Sequence, residues 1–168
     1  VALRGNIDTR IQKLKDQHYD AIVLSYAGLI RLNPGDLKFS ILPFEDFLPA
    51  ACQGAIGAEI KLNNEKIKTF LNPVNDPITE LCCLSERKIL SSIHANCNTP
   101  IGVYASMEND KMIIRSKLFN HDGDCLFEDK TIADKKDAIN KADNIGKKIL
   151  NEVGQTLIDK LDKIDDFD

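Results

Sequence analysis

The sequence predicts an α/β fold that ends in a separate α+β module, and three patterns support this. Residues 20–25 form a nearly continuous apolar run, which is typical of a buried parallel strand. Three short β-type runs, over residues 101–106, 112–118 and 125–130, are separated by turn-forming pairs. Stretches with apolar residues at helical spacing flank these runs. We therefore expect a three-stranded antiparallel sheet that helices cover on one side.

Residues 1–50 are predicted to finish an α/β unit. Asp8 is the expected cap of a short helix that carries Ile11 and Leu14 on one face. The buried strand over residues 20–25 follows. The other expected features are a strand end at residues 1–3, a turn at 27–28 leading into 29–32, a turn at 33–36, and a strand or loop at 37–49.

Residues 51–73 contain Gly54 and Gly57 and predict a strand over residues 56–62. Asn63 or Asn64 is the expected cap of a short helix, which Asn72-Pro73 closes. These features join the α/β unit to the C-terminal module.

Residues 74–168 are predicted to form the α+β module. Asp76 followed by Pro77 is a typical helix start, and the helix is expected to end near Ala95. A loop over residues 96–100 leads into the three strands. In the final helix Gly154 is the expected break, because glycine is a poor helix former. Residues 165–168 are expected to fray.

Composition and charge exclude several classes of protein. The net charge is −4 with no basic cluster, which argues against nucleic acid as a partner. No apolar stretch reaches the length of a membrane span, and the three histidines share no metal-ligand spacing. Five cysteines without a C-x-x-C pair predict a reducing compartment, the cytoplasm or alternatively a plastid-type organelle. Without an initial Met, the chain is expected to begin inside a longer reading frame or after a cleavage.

Four segments occur in a fixed order and spacing. They are Leu3-Arg4-Gly5-Asn6-Ile7-Asp8-Thr9-Arg10; Tyr19 to Leu24 with Ala27-Gly28-Leu29 and Arg31-Leu32; Leu48-Pro49-Ala50 with Gln53-Gly54-Ala55-Ile56-Gly57 and Glu59; and Glu86-Arg87 with Cys97, Pro100-Ile101-Gly102 and Tyr104-Ala105. In these segments the chain resembles the porphobilinogen deaminase family. The resemblance covers essentially the whole chain and weakens past Leu118.

The sequence departs from the family pattern at two positions and lacks one region. The family's cofactor loop usually reads G-G-C or G-S-C, where this chain has Ala95-Asn96-Cys97. The family usually has glycine where this chain has Cys52. The family's first half, which carries its catalytic Asp, is not in these 168 residues. We therefore assign no catalytic residue within this chain.

The resemblance implies a transferase that joins four porphobilinogen molecules head to tail, with release of ammonia, to give hydroxymethylbilane in haem biosynthesis. It also implies a dipyrromethane cofactor held on Cys97 by a thioether. Such an anchor must be an accessible nucleophile that forms a stable bond to carbon, and a cysteine in a loop at a helix end meets this demand.

Each pyrrole carries two carboxylates, which arginine binds in a bidentate manner. The resemblance implies that Arg4 and Arg10 bind both cofactor and substrate, and that Arg31 binds the growing product. Further implied contacts are Asn6, Gln53 and Gly54 to the cofactor and Thr9 to the substrate.

The resemblance also implies three parts. Residues 1–50 would complete a second doubly wound domain like those of periplasmic binding proteins, residues 51–73 would return to a first such domain, and residues 74–168 would form the cofactor-bearing third domain. Residues 1–73 hold too few strands to close two such domains. We therefore expect an N-terminal fragment of the same protein to pack against the chain. The resemblance implies that the whole protein is a monomer.

Two other functions remain open. One is a non-catalytic pyrrole- or carboxylate-binding module that kept the fold and lost the reaction. A small-molecule sensor would use Arg4 and Arg10 to bind porphobilinogen without releasing ammonia.

Overall fold

The structure, a computed structural model, describes residues 3–32, residue 35 and residues 37–162. The chain divides into two compact units, Val1–Leu42 and Pro43–Asp168. Across the described residues, no helix is both long and apolar enough to cross a lipid bilayer.

The first unit contains the helices α1 (Ile7–Lys15) and α2 (Tyr26–Arg31). Asn6 caps α1, because its side-chain oxygen accepts a hydrogen bond from the Thr9 amide at 3.0 Å. The prediction that Asp8 is the cap is wrong, because Asp8 lies inside the first turn of the helix. Its negative charge there stabilises the helix by interacting with the positive end of the helix dipole. Ile11 and Leu29 are the buried apolar residues of this unit.

The predicted strand over residues 20–25 is wrong. This segment is irregular, and the side chain of Val23 is 76% exposed. A strand needs a neighbour to satisfy its backbone N–H and C=O groups, and the described residues of this unit offer none. The predicted turn at 27–28 is also wrong, because Ser25 accepts a hydrogen bond from the Gly28 amide and starts α2 there.

Parts of the remaining predictions for this unit lie outside the described residues. Val1 and Ala2 of the predicted strand end are not described, nor are Asn33, Pro34 and Asp36 of the predicted turn. Residues 37–49 are irregular apart from a turn at 44–46, in agreement with the loop alternative.

The second unit begins with an irregular stretch that leads to α3 (Glu65–Leu71) and a 3-10 turn at Asn72–Val74. Asn64 caps α3 by accepting a hydrogen bond from the Ile67 amide at 3.2 Å, so the predicted helix and cap are confirmed. The predicted strand over residues 56–62 is wrong. Ile56 and Leu62 are 83% and 92% exposed, and the described residues provide no strand beside them.

The antiparallel meander is confirmed. Helix α4 (Pro77–Ser92) precedes β1 (Ile101–Glu108), β2 (Lys111–Phe119) and β3 (Cys125–Asp134), which form one sheet in the order β1-β2-β3. Asn109 and Asp110 both have positive φ, as a two-residue hairpin turn between twisted strands requires. Each strand extends beyond its predicted end because the ladder continues as far as hydrogen-bond partners exist.

Helices α5 (Ala138–Glu152) and α6 (Gln155–Leu161) close the module. Gly154, with φ of 85°, separates them as predicted. The core lies between one face of the sheet and these helices. Its fully buried members include Ile89 of α4 and Ile93 directly after that helix, Val103 of β1, Met112, Ile114 and Leu118 of β2, Ile145 and Ile149 of α5, and Ile158 of α6.

The expectation that only one face of the sheet is covered is wrong in part. Side chains alternate between the faces of a strand, so Gly102 and Tyr104 lie on the face opposite Val103. Phe44 stacks on Tyr104 with ring centres 4.2 Å apart, and a Cβ at Gly102 would lie 2.7 Å from the Cβ of Leu48. Residues 44–48 therefore cover part of the second face.

Candidate functional site

Cys97 lies in the loop between α4 and β1, and it is exposed. The helix ends through a left-handed residue, His94, with φ of 54°, and the Ala95 amide returns to the carbonyl of Leu90 at 3.0 Å. Ala95 and Asn96 lie outside the left-handed region. Alanine in place of the family's glycine at position 95 therefore leaves the path of this loop unstrained.

Cys97 opens onto a groove of about 780 Å³ in the second unit. One wall is α4, which contributes residues at helical spacing, and a second wall is the segment Ala50–Cys52. The loop itself adds Ala95, Asn96 and Thr99. The groove residues of α4 are Leu84, Arg87, Lys88, Leu90 and Ser91. The structure thus brings the predicted anchor together with the residues that directly precede Gln53 and Gly54.

The cationic groups of the groove differ in how they are paired. Lys88 contacts Asp143 of α5, with its Nζ 3.0 Å from the carboxylate. Hydrogen bonds from Lys147, Lys88 and Ser92 hold the pKa of Asp143 below its usual range. Arg87 is exposed at the groove. Its guanidinium offers planar, permanent charge close to the thiol-bearing loop, as a ligand with carboxylate arms requires.

Glu86 holds the second wall of the groove in place. Its side chain is 5% exposed, and its two oxygens accept hydrogen bonds from the Cys52 amide at 2.5 Å and the Ala105 amide at 2.8 Å. Burial raises the pKa of this carboxyl above its usual value, while the two amide donors act in the opposite direction. One buried carboxylate therefore fastens the segment around Cys52 to both α4 and β1.

The turn that carries Gln53 and Gly54 is tightly wound. Cys52 has φ of 60° and Gly54 has φ of 85°, and the Ala55 amide donates to the Cys52 carbonyl at 3.1 Å. Cys52 adopts the backbone conformation that favours glycine, which is the family's usual residue there. Gln53 and Gly54 are exposed.

The cysteines of the second unit differ in their chemistry. Burial, together with nearby Cys83 and Glu86, raises the pKa of the Cys52 thiol to about 12. Burial also raises the pKa of Cys82. These two thiols remain protonated at neutral pH and are poor nucleophiles. Cys97 and Cys125 are the exposed thiols of the described chain.

The other predicted site residues lie in the unit Val1–Leu42. The side-chain oxygen of Asn6 accepts hydrogen bonds from the Thr9 amide and, at 2.7 Å, from the Thr9 hydroxyl. Arg10 is half-buried, and its Nε donates to the Gly5 carbonyl at 2.8 Å. Arg4 and Arg31 are exposed. The roles of all five residues stay predictions, as does their convergence on Cys97.

Three residues contribute to the groove without having been predicted to do so: Arg87 and Lys88 line it, and Glu86 holds its second wall. The signal was present for the first two, because positions 84, 87, 88 and 91 share one face of α4 and lead towards the Cys97 loop. The role of Glu86 had no local signal, since its partners lie 34 residues before it and 19 residues after it. Within the part of the chain that the structure describes, no group of three or more His, Cys, Asp or Glu residues is placed to hold a metal ion.

Comparison with known proteins gives two matching family models and curated relatives. The model described as "Porphobilinogen deaminase, dipyromethane cofactor binding domain" matches residues 1–69, and the one described as "Porphobilinogen deaminase, C-terminal domain" matches residues 80–155. The chain is 36% identical over 159 residues to a porphobilinogen deaminase from Thiobacillus denitrificans, covering 95% of this chain and 48% of that protein. It therefore spans about half the length of the curated relative it matches.

Proposed function

Because this chain belongs to the porphobilinogen deaminase family, we propose that it is the cofactor-bearing part of a transferase that condenses four porphobilinogen molecules head to tail. Each condensation joins two pyrroles by a carbon–carbon bond and releases one ammonia, and the product is hydroxymethylbilane. The observation that carries this proposal is the exposed Cys97 thiol at the end of α4, open to a groove with a basic wall.

The groove fits a dipyrromethane. Cys97 is an exposed thiol on its rim, and Arg87 supplies positive charge beside it for the acetate and propionate arms. Cys97 would hold the group by a thioether bond from Sγ to carbon. When bound, the dipyrromethane supplies the free pyrrole carbon to which the first porphobilinogen is joined, and the later ones extend that chain.

The residues of this chain would bind and orient the cofactor, the substrate and the growing product. Arg4 and Arg10 would grip carboxylates of cofactor and substrate, and Arg31 those of the lengthening product. Because Asn6 and Thr9 bond to each other at the start of α1, their contribution is to hold the backbone beside Arg10 and to offer their remaining polar groups. Gln53 and Gly54 would approach the cofactor from the turn that Glu86 fastens. We assign no proton-transfer step to this chain.

We propose that an N-terminal fragment of the same protein packs on the exposed apolar side chains of this chain. Val23, Ile56, Leu62, Phe70 and Val74 are each more than three-quarters exposed, which is unusual for large apolar side chains of a finished domain. Residues 1–50 and 51–73 would then complete two doubly wound domains like those of periplasmic binding proteins, with residues 74–168 as the third domain of a monomer.

The free cysteines support a reducing compartment. All five are unpaired in the structure, including the adjacent Cys82 and Cys83. We propose the cytoplasm, with a plastid-type organelle as the alternative.

Intact-mass spectrometry of the purified protein tests the anchor. We expect a mass excess of one dipyrromethane, which Cys97→Ala abolishes because no other exposed loop thiol lines the groove among the described residues. Cys125→Ala is the matched control, since Cys125 is also an exposed thiol but lies at the start of β3. Retention of the excess in Cys97→Ala would place the anchor elsewhere.

The same samples separate the enzyme from a non-catalytic binding module. Combined with the N-terminal fragment, the enzyme releases ammonia from porphobilinogen in proportion to the substrate consumed. A protein that binds porphobilinogen with no ammonia release, and whose Cys97 remains unmodified, would be the binding module or sensor instead.

A further inference from the structure

The loop that carries Cys97 is closed by its own polar groups. The Asn96 amide donates to the Thr99 hydroxyl oxygen at 3.0 Å, and the Asn98 amide donates to the Asn96 side-chain oxygen at 2.7 Å. Thr99 is only 7% exposed, whereas Asn96, Cys97 and Asn98 are exposed. The buried Thr99 side chain is therefore the internal support of an otherwise exposed loop.

A distant residue completes this support. The Thr99 hydroxyl donates its proton to the carboxylate of Asp162, and the Asn98 side-chain amide donates to the Asp162 carbonyl at 3.4 Å. Asp162 is the C-cap of α6, more than 60 residues along the chain from the loop. Its carboxylate makes the hydrogen bond to Thr99 charge-assisted, and such bonds are stronger than those between neutral groups.

Helix α6 is itself firmly held. Ile158 and Leu161 are buried in the core of the module. At the other end of the helix, the Gln155 side-chain amide donates to the carbonyl of Ile93, the last residue before the Cys97 loop turns away from α4. Both ends of α6 therefore bind the connection between α4 and β1.

We propose that Asp162 is a positioning residue, which fixes the Asn96–Thr99 loop through Thr99 and so sets the direction in which the Cys97 thiol faces the groove. The proposal rests on the proposed function, because a fixed direction matters only if Cys97 anchors the cofactor. An irregular exposed loop without such a tie would sample many thiol positions. Covalent attachment and the later condensations both require one position, and small displacements of a reacting group cost much of the rate.

Hydrogen exchange of the purified protein directly tests whether Asp162 fixes the Asn96–Thr99 loop. Asp162→Ala removes the acceptor, and Thr99→Val removes the hydroxyl while keeping the shape of the side chain. We expect either change to speed amide exchange in residues 96–98 about tenfold, since one net hydrogen bond is lost from the closed state of the loop. Asp162→Asn and Thr99→Ser keep an acceptor and a hydroxyl, so both are expected to restore slow exchange.

The chain offers two matched controls. Lys160→Ala alters an exposed position on the same helix and is expected to leave exchange in the loop unchanged. Residues 120–124 form another self-closed loop, in which the Asp124 amide donates to the Asn120 side chain at 2.8 Å. Exchange there is expected to stay the same in every variant. Unchanged exchange at residues 96–98 in Asp162→Ala, or an equal rise in both loops, would overturn the proposal.

Intact mass of the same variants, and their turnover in the presence of the N-terminal fragment, test the link to the anchor. We expect Asp162→Ala to lower both the fraction of protein modified at Cys97 and the turnover number, by up to about a hundredfold for turnover. A loosened loop with complete modification and unchanged turnover would overturn the positioning role. If exchange in the loop rises in Asp162→Ala but the wild type carries no group on Cys97, Asp162 fixes the loop and the proposed function is refuted.

Discussion

The residues before Asp76 and those after it differ in what they bury. Among the described residues, nineteen apolar side chains are buried, and only Ile11 and Leu29 lie before Asp76. The earlier stretch is not poor in apolar residues. It exposes many of them, Val23, Ile56 and Leu62 among them. The two regions therefore differ in whether other segments of the chain cover their apolar side chains, and not in how many apolar residues they contain.

The kind of secondary structure in each region explains this difference. A helix satisfies its backbone within one segment, and α1, α2 and α3 all form in the earlier region, each with a side-chain cap. A strand satisfies its backbone only on another strand. The strands predicted over residues 20–25 and 56–62 are absent, whereas the three predicted after Asp76 pair with one another.

The largest expected effect compares one apolar side chain from each region. In the 168-residue chain, Ile114→Ala is expected to lower the free energy of unfolding by about 2–5 kcal/mol, because it leaves a cavity in a fully buried site. Val23→Ala is expected to change it by less than about 0.5 kcal/mol, because the side chain is exposed. Urea unfolding measures both.

The proposed N-terminal portion sharpens this test. With that portion present, Val23→Ala is expected to cost more, because packing would then cover the side chain. Equal costs for the two substitutions in the 168-residue chain alone would contradict the contrast between the regions.

Glu86 joins the two regions, so its removal gives the next effect. Glu86→Ala leaves the amides of Cys52 and Ala105 without their acceptor and is expected to lower the free energy of unfolding by about 2–3 kcal/mol. The control on the same helix is Glu80→Ala. Glu80 is exposed, so a cost below about 1 kcal/mol is expected.

The pKa of Glu86 adds a pH dependence with a definite sign. Burial raises its pKa in the folded protein, so folding favours the protonated carboxyl. The stabilisation from this group is complete below the ordinary pKa of 4.5 and is lost as the pH rises through the folded pKa. We expect the stability of the wild type relative to Glu86→Gln to fall over that window in urea unfolding. A relative rise with pH would contradict this assignment.

Two glycines give the smallest comparison. Gly102 lies against Leu48, and a Cβ there would come within 2.9 Å of the Leu48 carbonyl oxygen. Gly102→Ala is therefore expected to cost about 1–3 kcal/mol by forcing residues 44–48 from the sheet. At Gly57 an added Cβ meets nothing within 4 Å, so Gly57→Ala is expected to be neutral or to stabilise by up to about 1 kcal/mol. Thermal unfolding of the two variants checks the order, and a more harmful Gly57→Ala would refute it.

The predictions that succeeded depended on local signals. The cap of Asp76 before Pro77, the hairpin pair Asn109-Asp110 and the break at Gly154 each act within a few residues, and the structure confirms all three features. The Cys97 loop was also recognisable, because a helix end and a proline frame it. The groove beside it was not, because Ala50–Cys52 reaches Cys97 only through contacts between distant segments.

The sequence by itself determined the caps of α3 and α4, the turn between β1 and β2 and which thiol lies in an exposed loop, since all of these follow from the conformational preferences of neighbouring residues. It also determined the family, through four motifs in order. Only the tertiary structure decided that Glu86 fastens the Cys52 turn to β1 and that Asp162 supports Thr99. Buried hydrogen bonds between distant segments form only where packing excludes water, and no pattern of neighbouring residues encodes that exclusion.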